Sequence, residues 1–151
     1  MTTSLITVVL ALATITGTDE RDRLSGTAGT DRIHTLAKDD VVHARAGADV
    51  VDGGTGEDVV SAGGGDDRVY GRSGKDRLDG GAGADHLAGS TGGDRLVGGP
   101  GRDVLAGGRD SDTILARDGA RDRISCGTGK QDRVVADRAD AVSRDCERVG
   151  R

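Results

Sequence analysis

The chain has 151 residues, with 26 acids against 21 lysines and arginines and a formal net charge of −5, a balance that is not typical of proteins that bind nucleic acid or acidic membrane surfaces. Aromatic residues make up only 1% of the chain, hydrophobic residues 34%, and 27 residues are glycine, so the composition does not support an ordinary globular core. Without a regular pattern, a sequence of this kind would be disordered.

Near the start of the chain, residues 4–13 (SLITVVLALA) form the only continuous apolar run. The run is too short to cross a bilayer as a helix, so we predict no integral membrane segment. It ends in the small-x-small sequence Ala11-Leu12-Ala13, which is typical of a secretory signal peptide, although the usual basic residues before it are missing. We predict that residues 1–13 are a signal peptide and that the mature chain begins at Thr14. The alternative is an apolar strand that caps the following fold.

Two columns of residues then repeat every nine positions. The first column is an unbroken series of aspartates: Asp22, Asp31, Asp40, Asp49, Asp58, Asp67, Asp76, Asp85, Asp94, Asp103 and Asp112. The second column lies two residues later and contains only large aliphatic residues: Leu24, Ile33, Val42, Val51, Val60, Val69, Leu78, Leu87, Leu96, Leu105 and Ile114. A fixed period of this length indicates a stack of repeated units, each with a short strand whose middle side chain points into a core.

Glycines fill the loops that precede these aspartates. The clearest units read GGTGEDVVS (53–61), GGAGADHLA (80–88) and GGPGRDVLA (98–106). They match the nonapeptide G-G-x-G-x-D-x-aliphatic-x, so residues 17–115 resemble the RTX (repeats-in-toxin) calcium-binding family. The residue types suit that chemistry, because glycine permits the positive φ of tight turns, and carbonyl and carboxylate oxygens are the ligands that Ca²⁺ prefers.

The resemblance implies an all-β fold, a right-handed parallel β-roll (β-solenoid) in which two nonapeptides make one turn. We expect the roll to span residues 14–115, with the aliphatic column between two sheets and the aspartates along two edges. One edge would carry Asp31, Asp49, Asp67, Asp85 and Asp103, and the other Asp22, Asp40, Asp58, Asp76, Asp94 and Asp112. Each Ca²⁺ would lie between consecutive loops of one edge and share an aspartate from each.

On this basis we expect about six calcium ions, which is the number of well-formed neighbouring loops. They would bridge the aspartate pairs 49/67, 67/85, 85/103, 58/76, 76/94 and 94/112. The predicted ligand residues are Asp49, Asp58, Asp67, Asp76, Asp85, Asp94, Asp103 and Asp112, with the loop glycines Gly53, Gly54, Gly56, Gly63, Gly65, Gly80, Gly81, Gly83, Gly98, Gly99 and Gly101. The loops before Asp22 and Asp40 lack internal glycines, so we expect the first two turns to bind weakly or not at all.

Several residues that directly follow the column aspartates are polar and should face outward: Arg23, Arg32, Arg68, Arg77, Arg95 and Thr113. We interpret them as a solvated sheet face with cross-strand pairing to Asp52 or Asp79. The alternative is a surface for an anionic polysaccharide or lipopolysaccharide. His34 and His43 fall on opposite sheets, so we predict neither a catalytic triad nor a zinc site.

Beyond Asp112 the period becomes irregular, with spacings of ten, ten and eight residues to Asp122, Asp132 and Asp140. We predict that residues 116–151 form irregular capping turns of the same stack that no longer bind metal. Cys126 and Cys146 fit a disulfide in an exported chain. A metal site is the weaker alternative, because two single cysteines lack the paired spacing of zinc ligands.

These patterns predict a secreted, calcium-binding β-roll that has a structural or adhesive role and folds when calcium binds. We expect no enzymatic activity, because the sequence has neither HExxH nor G-x-S-x-G. Two alternatives stay open. The chain could be a filament or surface-layer subunit that associates end to end, or it could be the repeat module of a secreted enzyme or toxin.

Overall fold

The computed structural model describes residues 12–150, which form an all-β fold of two eight-stranded sheets without a helix in that range. The first sheet contains β1 (Leu12–Thr16), β3 (Thr30–His34), β5 (Val50–Asp52), β7 (Arg68–Ser73), β9 (His86–Thr91), β11 (Val104–Arg109), β13 (Arg123–Gly127) and β15 (Ala141–Val142). The second contains β2 (Arg23–Ser25), β4 (Val41–Ala46), β6 (Val59–Gly64), β8 (Arg77–Ala82), β10 (Arg95–Val97), β12 (Thr113–Ala116), β14 (Arg133–Ala136) and β16 (Arg148–Gly150).

The chain alternates between the two sheets, and neighbouring strands within each sheet are parallel. Residues eighteen apart lie side by side: Val51 pairs with Val69, and Val69 pairs with Leu87. Two nonapeptides therefore make one turn, and the described residues make about eight turns. The predicted parallel β-roll is confirmed.

The core lies between the sheets and is formed by the predicted aliphatic column. From Ile33 to Ile114 every member of that column is buried, and Leu24 is partly buried against them. The next inward-facing side chain, two residues later, is small: Ala44 and Ala62 are buried, and glycine stands at most of the equivalent positions. Each strand therefore points first a large and then a small side chain into the core. These two positions are two residues apart, as expected when every second residue of a strand faces the core.

The C-terminal residues continue the stack, as the sequence predicted. β13 and β15 extend the first sheet, while β14 and β16 extend the second. The predicted disulfide is also confirmed, since Cys126 and Cys146 are bonded with their Cα atoms 5.1 Å apart.

The predicted signal peptide falls largely on residues 1–11, which lie outside the described residues. Its proposed cleavage point, after Ala13, lies within β1, which pairs with β3. Among residues 12–150 the structure contains no helix with the length and apolarity that crossing a membrane would require.

Candidate metal-binding edges

The column aspartates stand immediately before or at the start of the strands, so the two-sheet topology places them along two edges. Carboxylates that precede odd-numbered strands share one edge, and those that precede even-numbered strands share the other. Thirteen of them are buried: Asp31, Asp40, Asp49, Asp58, Asp67, Asp76, Asp85, Asp94, Asp103, Asp112, Asp122, Asp132 and Asp140. All eight predicted aspartate ligands therefore lie where the sequence placed them, on alternating edges.

One oxygen of each carboxylate is fixed by the turn before it. Asp67 Oδ1 accepts the backbone N–H of Asp49 at 2.7 Å, and Asp85 Oδ1 accepts that of Asp67 at 2.9 Å. The same bond repeats on both edges, including from Asp76 N–H to Asp94 Oδ1 at 2.9 Å. Because a backbone donor holds Oδ1, the orientation of each carboxylate is set by the fold itself.

The other oxygen of most column carboxylates has no hydrogen-bond donor. Within the described residues, Oδ2 is buried and unpartnered in Asp40, Asp49, Asp58, Asp67, Asp76, Asp85, Asp94, Asp103, Asp112, Asp122 and Asp132. An unsatisfied polar atom in a buried position costs about 1–3 kcal/mol, and an unpaired charge costs more. A run of such atoms at equivalent positions fits the binding of positively charged ligands.

Where the loop begins with glycine, Oδ2 and a carbonyl oxygen of the next turn both lie close to the glycine backbone. A Cβ added to Gly89 would lie 2.2 Å from Asp94 Oδ2 and 2.7 Å from the carbonyl oxygen of Gly107 in the next turn. A Cβ on Gly80 would similarly lie 2.5 Å from Asp85 Oδ2 and 2.7 Å from Gly98 O. A side chain at this position would collide with both oxygens, so glycine leaves a carboxylate and a carbonyl, the ligand types that Ca²⁺ prefers, uncovered beside each other. We call this arrangement a cradle.

We call this residue, five before the column aspartate, the first loop position. Glycine occupies it in the loops of Asp58, Asp76, Asp85, Asp94, Asp103 and Asp112, at Gly53, Gly71, Gly80, Gly89, Gly98 and Gly107, and also in the loops of Asp22 and Asp31, at Gly17 and Gly26. The sequence prediction included Gly53, Gly80 and Gly98 but missed Gly71, Gly89 and Gly107. Their constant spacing before the aspartate was the signal that could have identified them.

The remaining predicted glycines occupy the second and fourth loop positions: Gly54, Gly63, Gly81 and Gly99, and Gly56, Gly65, Gly83 and Gly101. They have positive φ, and each lies against a carbonyl of the preceding turn; a Cβ on Gly83 (φ 144°) would be 2.0 Å from Gly65 O. Their role is therefore to let the loops stack closely. Arg72 and Ser90 hold positive φ at the second position without being glycine.

Three loops fill the first position with a side chain. Ala44 precedes Asp49, and Ala62 precedes Asp67, so a methyl group lies where the glycine loops are open. Thr35 precedes Asp40, and its hydroxyl donates to the carbonyl of Gly53, which removes that oxygen as a free ligand. The predicted pairs 49/67 and 67/85 include such loops, whereas 58/76, 76/94 and 94/112 do not.

At both ends of the stack the free oxygen is satisfied by local N–H groups. Asp22 Oδ2 accepts the N–H of Thr18 at 2.5 Å, and Asp31 Oδ2 accepts that of Thr27 at 2.5 Å. Asp140 Oδ2 accepts the N–H of Asp137 at 2.5 Å. In these loops an N–H group already donates to Oδ2, so this oxygen is not free to bind a cation. This explains why the first turns would bind calcium weakly.

Asp122 and Asp132 were not expected among the metal-type carboxylates. Their loops are one residue longer and poor in glycine, yet Oδ1 of Asp122 accepts Asp103 N–H at 2.9 Å and Oδ1 of Asp132 accepts Asp112 N–H at 2.8 Å. Their Oδ2 atoms are buried and unpartnered like those of the regular turns. The carboxylate geometry therefore continues into the segment that we expected to carry none.

Burial raises the pKa of Asp58, Asp67, Asp94 and Asp103 to about 7, and that of Asp112 to about 6. Repulsion by the carboxylates of neighbouring turns adds to the rise; for Asp58 these are Asp76 and Asp40. Near neutral pH the metal-free edges are therefore partly protonated. A cation between the turns would favour the ionised form and oppose both effects.

The donor set favours a hard cation. No group of three or more His, Cys, Asp or Glu side chains within metal-binding reach occurs in the part of the chain that the structure describes. Each loop supplies one buried carboxylate, so most ligands would have to be backbone carbonyls, which suits Ca²⁺ and not Zn²⁺.

Comparison with known families agrees with this geometry. A family model described as an RTX calcium-binding nonapeptide repeat matches the chain in four copies, at residues 14–36, 25–60, 52–87 and 88–121. Together these copies cover residues 14–121 without a gap, which is more than half of the chain. Searches of curated proteins and of solved structures gave no match.

Proposed function

The chain belongs to the RTX calcium-binding nonapeptide repeat family, and we propose that calcium drives its folding by neutralising the two carboxylate edges. The observation that carries the proposal is the run of buried carboxylates with an unpartnered Oδ2. Without a cation, each turn adds to its edge one more buried carboxylate, which must be either charged without a partner or protonated. With a cation, each carboxylate gains the partner that burial requires.

We propose that the principal ions lie beside the six carboxylates whose loops begin with glycine and whose Oδ2 has no hydrogen-bond donor, namely Asp58, Asp76, Asp85, Asp94, Asp103 and Asp112. The loop carbonyls would supply the other oxygens, including those of Gly98 and Gly107, which face the cradles of the preceding turn. The loops of Asp49 and Asp67 would bind more weakly, because the methyl groups of Ala44 and Ala62 occupy part of the space. The ion contributes charge neutralisation and cross-linking of turns.

Circular dichroism tests this function directly. The spectrum of calcium-depleted protein at pH 7.5 should be largely disordered, and millimolar CaCl₂ should convert it to a β-sheet spectrum. MgCl₂ is the matched control and should substitute poorly, because Mg²⁺ demands shorter bonds and near-octahedral geometry. A β-rich, protease-resistant protein in EGTA would overturn the proposal.

We further propose that the protein is exported and has a structural or adhesive role without catalysis. RTX repeat proteins are typically secreted, and a disulfide such as Cys126–Cys146 persists in oxidising compartments. Mass spectrometry of protein from the culture medium should find Thr14 as the first residue and no free thiol. A retained Met1, or two free cysteines, would contradict export.

End-to-end association is a second candidate, favoured by the open ends of the stack. In the described residues β1 and β2 each pair with one neighbour only, and Leu12 on β1 is 46% exposed. Unpaired strand edges can pair with another copy. Light scattering should then show calcium-dependent growth in mass, whereas a constant monomer mass would exclude this role.

A further inference from the structure

The two kinds of charge occupy different parts of the roll. Thirteen of the 26 acids are buried carboxylates of the two edges, which leaves 13 other acids against 21 lysines and arginines. The buried acids are those that cations would neutralise. Once they are neutralised, the charge that the molecule presents to solvent is predominantly positive, although the chain is acidic by composition.

The outer face of the second sheet carries a row of arginines. Arg77 on β8 lies in register with Arg95 on β10, and both side chains are exposed. The same row continues through Thr113 to Arg133 and Arg148. We call these four arginines the arginine row; successive strands are about 4.8 Å apart along it.

No arginine of the row forms a salt bridge within the described residues. The salt bridges found in residues 12–150 join Arg21 to Asp39 and Arg72 to Asp52, and neither involves the row. Like charges that are directly opposite on neighbouring strands destabilise a sheet. Asp52 pairs with Arg72, near the end of β7, and not with an arginine of the row, so the predicted cross-strand pairing leaves the row without a salt bridge.

An apolar row runs beside the arginines. Two residues after Arg95, Thr113 and Arg133 come Val97, Leu115 and Val135, which point outward from the same sheet and are half-buried. Asp79 is the acid at the equivalent position on β8, and it lines a surface depression with Arg77, Arg95 and Val97. The face thus combines a line of guanidinium groups with a parallel aliphatic strip.

We propose that this face binds a linear polysaccharide that carries sulfate or carboxylate groups. A guanidinium forms charge-assisted, often bidentate hydrogen bonds with such groups, and the aliphatic strip can pack against the C–H faces of sugar rings. The partner must be a chain that carries several charges along its length, because the four arginines are spread over successive turns of the roll, with Thr113 between Arg95 and Arg133.

Nucleic acid fits the face less well. Single-stranded nucleic acids bind on aromatic side chains that stack with the bases, and aromatic residues form only 1% of this chain. Tyr70, the only tyrosine, lies on β7 in the first sheet, where Arg72 packs over its ring at 5.1 Å. The second sheet therefore offers charge and aliphatic surface without a stacking platform.

The inference rests on the proposed function, because the arginine row forms only in the folded roll. The probe is size-defined dextran sulfate in millimolar CaCl₂, with neutral dextran as its control, and calorimetry measures binding. The test variant is the double substitution Arg77→Gln/Arg95→Gln. The matched control is Arg32→Gln/Arg68→Gln on the first sheet, which removes the same amount of charge. These two arginines are not neighbours, because Val50 lies between them in the sheet.

We expect the wild type and the control variant to bind dextran sulfate with affinities within about twofold of each other. The test variant should bind about tenfold more weakly, since two exposed charge contacts are lost. Neutral dextran should not bind. The proposal would be overturned if both variants lost the same affinity for dextran sulfate. It would also be overturned if the wild type did not bind dextran sulfate although its circular dichroism spectrum showed a folded roll.

The same samples separate this inference from the calcium proposal. Removing calcium should abolish both the β-sheet spectrum and binding. A roll that stays folded and still binds without calcium would support the surface but contradict calcium-driven folding. Tighter binding to single-stranded DNA or to anionic lipid vesicles than to dextran sulfate would overturn the polysaccharide assignment.

Discussion

Substituting Gly89 with alanine should remove one calcium ion from the middle of the stack. The new Cβ would lie 2.2 Å from Asp94 Oδ2 and 2.7 Å from Gly107 O, so it would collide with two of the oxygens that we expect to bind the ion. Asp94 cannot easily move away, because its Oδ1 is held by the N–H of Asp76 at 2.9 Å. Gly89 does not have a positive φ, so backbone strain does not contribute to the effect.

The expected magnitude follows from the linkage between binding and folding. A site that is saturated at about 100 times its Kd stabilises the fold by about 2.7 kcal/mol. Losing that site should therefore cost about 3 kcal/mol in calcium and reduce the calorimetric stoichiometry by about one ion. Neighbouring turns would also bind less cooperatively, because each turn in a solenoid is stabilised by the next.

Gly64→Ala is the matched control. Gly64 also has no positive φ, and the nearest atom to an added Cβ is Ala82 O at 4.0 Å. This variant should bind as many calcium ions as the wild type and unfold at the same temperature in calcium. If Gly89→Ala and Gly64→Ala have the same stoichiometry and stability, the cradle at the first loop position is not the calcium site.

Three further predictions test the edges and the C-terminal turns. Asp76→Asn should lower calcium affinity more than Asp22→Asn in calorimetric titrations, because Asp76 Oδ2 is unpartnered while Asp22 Oδ2 already accepts Thr18 N–H; equal losses would show that the wrong loops are occupied. In metal-free protein the raised pKa values of Asp58, Asp67, Asp94 and Asp103, about 7 against an ordinary 3.8, mean that the folded state binds protons more tightly than the unfolded state. Their contribution to the stability of the metal-free fold is full below about pH 4 and is lost as the pH rises through about 7. The β-sheet signal of metal-free protein should therefore decrease between those pH values. An increase would contradict the argument that burial raises these pKa values. Replacing Cys126 and Cys146 together with serine should lower the free energy of unfolding in calcium by about 3 kcal/mol, as measured with urea, and an unchanged midpoint would show that the bridge does not constrain the terminal turns.

The period of nine was enough to predict the fold. The constant spacing of aspartate and aliphatic residues determines which residues share a sheet, and the pairing of Val51 with Val69 follows from two units per turn. The burial of Leu87 and the position of Asp85 follow in the same way. A repeat reduces the problem to one unit and one stacking rule, so a single correct register fixes the contacts of every turn.

The differences between loops were harder to predict, because they depend on hydrogen bonds and not on spacing. Nothing in the period distinguishes Asp31 from Asp40, yet the N–H of Thr27 satisfies Asp31 Oδ2 while Asp40 Oδ2 has no partner. The spacing located Asp122 and Asp132 despite their longer loops, but it did not indicate that their carboxylates have the geometry of the regular turns. Their register is set by pairing with the preceding turns, which only the three-dimensional structure shows.

The most direct test of the central claim is a crystal structure of the protein grown in millimolar calcium. We predict calcium density beside Oδ2 of Asp58, Asp76, Asp85, Asp94, Asp103 and Asp112, with a carbonyl of the adjacent turn among the ligands, and none beside Asp22 or Asp31. Ordered water in place of calcium at the six cradles, or Oδ2 atoms that turn to accept N–H groups instead, would contradict the account.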